Sequence, residues 1–174
     1  EGLGYADTDR MVTEGGSGGG YMSFVIAIEA PTTFRAQAIR APVSDWELLA
    51  IDRFGASGRA WTAGREPRRE RSEFGGPPEE IPGEYHRRPP IHFVENVQVP
   101  QLLLHGSRDS AVPIRQSTVW VERMHALGKA DLITFVEYPD EDHSLVRYRA
   151  TVRDRLQRME QFYAEHLGLR ATDP

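Results

Sequence analysis

At 174 residues the chain has the size of one domain, with 39% hydrophobic and 27% charged residues, enough to bury a core. A formal net charge of −5 gives no pull toward nucleic acid or an anionic membrane, and the basic residues are all arginine except Lys129, which reads as a composition bias. Cysteine is absent, which excludes a disulfide framework, a thiol nucleophile and cysteine-ligated zinc, and no apolar run approaches the roughly 18–20 residues of a membrane span.

The chain opens at Glu1 without a basic-then-apolar leader, so the expected setting is cytoplasmic and the expected starting point lies part-way through a domain. Residues 10–14 form a short extended stretch that runs into Gly15-Gly16-Ser17-Gly18-Gly19-Gly20. Residues 21–28 then read as a buried helix, with Phe24, Ala27 and Ile28 on one face and Pro31 beyond its end. Residues 34–39 are a short strand, followed by a loop whose Ser44-Asp45-Trp46 signals a helix start. Between about 55 and 90, Gly, Pro, Arg and Glu dominate, which predicts a loop-rich insert with short helices. Its arginine run is diluted by Glu66 and Glu70 and reads as solvated loop. Residues 99–106 have the pattern of a buried parallel strand. Residues 114–127 are helical, with Trp120, Met124 and Leu127 on one face and Gly128 placed to end the helix. Residues 132–138 are a strand by propensity. Residues 145–167 are a long amphipathic helix striped by Tyr148, Val152, Leu156, Met159, Tyr163 and Leu167. This alternation predicts an α/β fold, a mostly parallel sheet with helices on both faces.

Three loops carry the candidate chemistry. Gly15-Gly16-Ser17-Gly18-Gly19 fits Gly-x-Ser-x-Gly, the turn that presents a serine hydroxyl between a strand and a helix. Glycines at 15 and 19 are expected to relieve collisions there, and the Gly18 N–H is expected to face a developing oxyanion. On its own the glycine run is equally consistent with a flexible linker or a phosphate-cradling nest. The flanking strand and helix favour the elbow, and Tyr21 stands where a phosphate loop would want lysine. Asp109 follows the strand ending near Leu104, and His143 follows the next strand. Taken singly, Asp109 could cap a helix and Asp142-His143 could be a weak metal site, although no second histidine stands close by. Together the three follow predicted strands in the order Ser, Asp, His, which is that of α/β-hydrolase enzymes. No metal or other cofactor is expected.

At the residue level, Gly15-Gly16-Ser17-x-Gly19-Gly20-Tyr21-Met22, Leu104-His105-Gly106-x-x-Asp109-x-x-Val112-Pro113 and Val136-x-Tyr138-Pro139-x-x-x-His143 resemble the elbow, acid loop and histidine loop of the prolyl oligopeptidase family. Val43-Ser44-Asp45-Trp46, and Gly75-Gly76-Pro77 leading toward Pro90-Ile91, are similar to its intervening stretch. The likeness covers nearly all of residues 5–167. It implies the C-terminal part of an α/β-hydrolase catalytic domain, without the N-terminal strands, hydrolysing a small ester or peptide through a triad of Ser17, Asp109 and His143. Gly18 would supply one oxyanion donor, and Tyr21 and Trp46 would line the substrate site. Gly18 replaces a residue that is more often larger in the family. The upstream His-Gly-Gly-type loop, source of the second oxyanion donor, is not in this sequence, so esterase-type activity is expected over peptidase activity. The first strand is expected to present an open edge, covered by a second copy, a swapped segment or an N-terminal partner fragment. The alternatives are a non-catalytic hydrolase-like remnant acting as an interaction module, and a small dienelactone-hydrolase-like enzyme.

Overall fold

The computed structural model describes residue 4 and residues 7–54 and 80–169. Most of the loop-rich insert predicted at 55–90, with Gly75-Gly76-Pro77, lies outside the described residues. Four strands, β1 (Val12–Gly16), β2 (Ala36–Arg40), β3 (Gln101–Gly106) and β4 (Ile133–Tyr138), form one sheet in the order β1-β2-β3-β4. Every pairing is parallel, so every connection must cross over one face of the sheet. The helices are α1 (Gly18–Glu29), α2 (Trp46–Phe54), α3 (Pro82–Arg87), α4 (Arg115–Ala126) and α5 (Arg149–Leu167), with 3-10 turns at Pro90–Asn96 and Ala130–Leu132.

Strand alternation divides the core in two. Ile39 and Leu103 point to the face covered by α1, α4 and the first 3-10 turn, packing with Phe24, Ala27, Val94, Trp120 and Met124. The Phe24 and Trp120 rings stack there with centroids 3.7 Å apart. Ala38, Leu102 and Leu104 point to the opposite face and pack with Tyr138, Leu145 and Met159, the last from α5. All six β3 residues are buried, as expected of a central strand covered on both sides. Two of the central strands carry glutamines, which are satisfied in series: Trp120 Nε1 donates to Gln101 Oε1 (2.9 Å), Gln101 Nε2 to Gln37 Oε1 (3.0 Å), and Gln37 Nε2 to the Ser23 carbonyl (3.0 Å). No helix of the described residues is long and apolar enough to cross a membrane.

The boundaries nearest the candidate site differ from the sequence expectation. β1 runs to Gly16 and α1 begins at Gly18, so the glycine run supplies both the strand end and the first helical turn. α5 begins at Arg149, not at Leu145. The buried Glu141 carboxylate accepts from the backbone N–H groups of Arg147 and Tyr148 (3.1 and 3.0 Å), holding residues 145–148 as loop. The packed face of α5 also differs from the expected stripe: Tyr148 and Leu156 are exposed, while Met159 is buried and Phe162 and Tyr163 pack on the sheet.

Candidate active site

Ser17 sits between β1 and α1 at φ 57°, ψ −120°, a sparsely populated conformation that costs a non-glycine residue about 1–3 kcal/mol. Its neighbours hold it there. The Ser17 N–H donates to the Arg40 carbonyl at the end of β2 (2.9 Å), and the Ser17 carbonyl accepts from the Tyr21 N–H (3.0 Å). A side chain at Gly15 would fall on the Gly19 carbonyl and lie 2.5 Å from Ser23 Oγ, and one at Gly20 would lie 2.8 Å from Pro42 Cβ. The expectation that Gly19 relieves a collision is corrected: a Cβ at Gly19 or Gly18 would meet nothing within 4 Å. The tight approaches are at Gly15 and Gly20, because the backbone of α1's first turn folds onto β1 and its third residue faces Pro42. Gly18 and Gly19 are exposed, and their N–H groups belong to the helical turn that has no internal acceptors. That end of the helix favours negative charge.

Asp109 lies on the loop after β3, its side chain fully buried. Its Oδ1 accepts from the Ala111 and Val112 N–H groups at 2.9 and 2.8 Å. Its Oδ2 is 2.6 Å from His143 Nδ1 and 3.2 Å from His105 Nε2. Burial works to raise the carboxyl's pKa, but the bonds from His105, Val112 and His143 outweigh it and hold the pKa below the ordinary aspartate value. His143 is brought over Asp109 by the loop after β4. That loop crosses so close to Gly106 that a Cβ there would fall on the Glu141 carbonyl, and the Arg108 N–H donates to that same carbonyl at 2.9 Å. The His143 side chain is 33% exposed. Asp142 turns onto Ser144, whose hydroxyl and N–H donate to its Oδ1 at 2.5 and 2.9 Å. Among the described residues no hydrogen bond joins Ser17 Oγ to His143.

Tyr21 and Trp46 meet edge to face with centroids 5.2 Å apart and pack on Val43, Leu49 and Val112. They form a half-buried aromatic wall between the first turn of α1 and the acid loop. Two residues that the sequence reading left without a role hold this site. Gln116 Oε1 accepts from the Ser44 and Asp45 N–H groups (3.0 and 2.9 Å), fixing the turn that delivers Trp46. His105 is buried beside Asp109. Its appearance in the Leu104-His105-Gly106 motif was the available signal.

The prolyl oligopeptidase family matches residues 1–170. The chain belongs to that family. Among members and relatives, the uncharacterised peptidase YtmA of Bacillus subtilis (strain 168) is 31% identical over 145 residues, which are 80% of this chain and 52% of that protein. Acylamino-acid-releasing enzyme 1 of Oryza sativa subsp. japonica is 27% identical over 152 residues, 82% of this chain and 18% of that one. The chain therefore spans about half the length of one curated relative and about a fifth of the other. A crystal structure of puromycin hydrolase superposes with a TM-score of 0.76 at 25% identity, covering 98% of this chain and 24% of that one. A Mycobacterium tuberculosis puromycin-hydrolyzing peptidase shares the fold with a TM-score of 0.77 at 24% identity, covering 96% and 23%. The parallel sheet and its helices are thus part of the α/β-hydrolase fold of prolyl oligopeptidase family members.

Proposed function

We propose that the chain is a serine hydrolase acting through Ser17, His143 and Asp109, with an acyl-enzyme intermediate. The observation that carries this reading is the 2.6 Å bond from a fully buried Asp109 to His143 Nδ1. With Nδ1 donating to the carboxylate, Nε2 is the nitrogen left to accept a proton. Ser17 Oγ attacks the substrate carbonyl carbon as its proton passes to His143 Nε2. The tetrahedral intermediate collapses, and the leaving alcohol or amine takes that proton. Water then repeats the sequence on the acyl-enzyme. The Gly18 N–H, in the exposed first turn of α1, stabilises the oxyanion, and the Tyr21–Trp46 wall receives an apolar part of the substrate.

Esters with good leaving groups are the substrates proposed first, because the Gly18 N–H is the one oxyanion donor assigned here and each such donor is worth about 10²–10³ in rate, a demand that an activated ester makes less steeply than an amide. The names of two relatives, acylamino-acid-releasing enzyme and puromycin hydrolase, support hydrolysis as the reaction class. The test compares p-nitrophenyl butyrate with an aminoacyl p-nitroanilide on wild type and Ser17→Ala. Ester turnover that Ser17→Ala abolishes supports the reading; anilide turnover equal to ester turnover removes the ester preference, and full activity in Ser17→Ala refutes the triad. The second reading, a non-catalytic hydrolase-like interaction module, draws on the missing Ser17–His143 hydrogen bond. Such bonds commonly tighten only when substrate binds.

A further inference from the structure

His105 is the penultimate residue of β3 with its imidazole fully buried, and the mechanism above does not use it. Its Nδ1 is 2.6 Å from Ser117 Oγ on α4, and its Nε2 is 2.9 Å from the Val112 carbonyl and 3.2 Å from Asp109 Oδ2. A carbonyl and a carboxylate only accept, so Nε2 carries the hydrogen, and in the neutral ring Nδ1 then accepts from the Ser117 hydroxyl. Asp109 Oδ2 is also the atom that receives His143 Nδ1. The carboxylate therefore takes two backbone N–H groups on Oδ1 and the His143 imidazole on Oδ2, and the His105 Nε2–H, which donates to the Val112 carbonyl, lies 3.2 Å from that same Oδ2.

We propose that His105 is a positioning residue for this site: locked by Ser117 in the Nε2–H tautomer, it shares Asp109 Oδ2 with His143 and limits how tightly the carboxylate holds the His143 proton. The proposal rests on the reading of Asp109 and His143 as acid and base. Each donor spreads the carboxylate's charge, so removing one concentrates it on the bond to His143 and stabilises the imidazolium. The other charged groups around the pair would be unchanged. Asp142 adds a like charge near Asp109 and is balanced by Arg147. Arg108 pairs with Asp140 at 2.7 Å, Arg115 with Asp52 at 3.0 Å, and the Glu141 carboxylate is held by two backbone N–H groups. Glu137, the register partner of His105 on β4, is exposed.

The test is a long-range 1H–15N spectrum of the histidine rings, titrated through the neutral range on the whole chain. Wild type should show His105 as the Nε2–H tautomer. His105→Leu should raise the His143 midpoint by about half a pH unit or more. His105→Gln, whose amide can still donate to Oδ2, should restore the wild-type midpoint, and Ser117→Ala should let the other His105 tautomer emerge. A purely structural role would leave the midpoint of folded His105→Leu where it is, and that result overturns the proposal. So does an Nδ1–H tautomer in wild type, which is decisive even if His105→Leu does not fold. The spectra need no turnover, so a protein that passes them yet labels with no serine probe would sink the hydrolase reading and leave this hydrogen-bond arrangement standing.

Discussion

The two elbow glycines that flank Ser17 two residues away should respond to alanine in opposite directions. At Gly15 a methyl group would land on the Gly19 carbonyl and 2.5 Å from Ser23 Oγ. The first obstacle is helix backbone, so relief requires α1 to move away from β1. Overpacking of this kind costs about 1–3 kcal/mol and sometimes more, and a backbone obstacle puts Gly15→Ala at about 3 kcal/mol or above. At Gly19 a methyl group meets nothing within 4 Å, and the residue's φ is not positive. Gly19→Ala should then only narrow the unfolded ensemble, a gain of about 0.4–1 kcal/mol. Urea unfolding followed by circular dichroism measures both. A urea slope of about 2 kcal/mol per molar makes the Gly19→Ala gain a rise of a few tenths molar in midpoint, against a fall of about 1.5 M or more for Gly15→Ala. A destabilised Gly19→Ala, or a Gly15→Ala that unfolds like wild type, would refute the packing described for the elbow.

Asp109→Asn turns an amide donor toward His143 Nδ1, which forces the wrong tautomer, and ester hydrolysis should fall by about 10⁴-fold in a steady-state assay. Gln116→Leu strips acceptors from the buried Ser44 and half-buried Asp45 N–H groups. At about 1–3 kcal/mol for an unsatisfied group, offset by removal of the partnerless Gln116 Nε2, the expected loss is about 2–3 kcal/mol in urea titration, with a raised KM as Trp46 loosens. Tyr163 donates its hydroxyl to the Thr13 carbonyl at 2.9 Å, and burial, followed by nearby Glu14, pushes its pKa up to about 12. Because the folded value lies above the ordinary value of about 10, this stabilisation is whole below that pH and is lost as pH rises toward the folded value. Tyr163→Phe should therefore be slightly less stable at neutral pH and show a shallower decline in alkaline melts.

Strand–helix alternation and the three strand-end motifs were legible because each is local. Glycine and proline punctuate the strands, and Ser17, Asp109 and His143 each sit within a few residues of a strand end. The Asp109–His143 pairing follows directly from that placement. The elbow's contacts were legible only in part. Gly15 is needed as expected, but the second close approach falls at Gly20, against Pro42, because local spacing does not reveal which loop crosses above the turn. The grip of Gln116 on Ser44 joins residues 72 apart in sequence, and the role of Glu141 depends on backbone N–H groups that present no side-chain signal. The α5 face was legible only in part: Leu156 fits an apolar stripe by spacing but is exposed, while Phe162, outside that stripe, packs on the sheet beside Met159 and Tyr163.

The central claim is that Ser17 is an activated nucleophile. Incubation with a fluorophosphonate, followed by intact-mass and peptide-mapping mass spectrometry on wild type, Ser17→Ala and His143→Ala, tests it most directly. The account predicts a single adduct on Ser17, absent from Ser17→Ala and strongly slowed in His143→Ala. No adduct on folded wild-type protein, or an adduct that persists in Ser17→Ala, would contradict it.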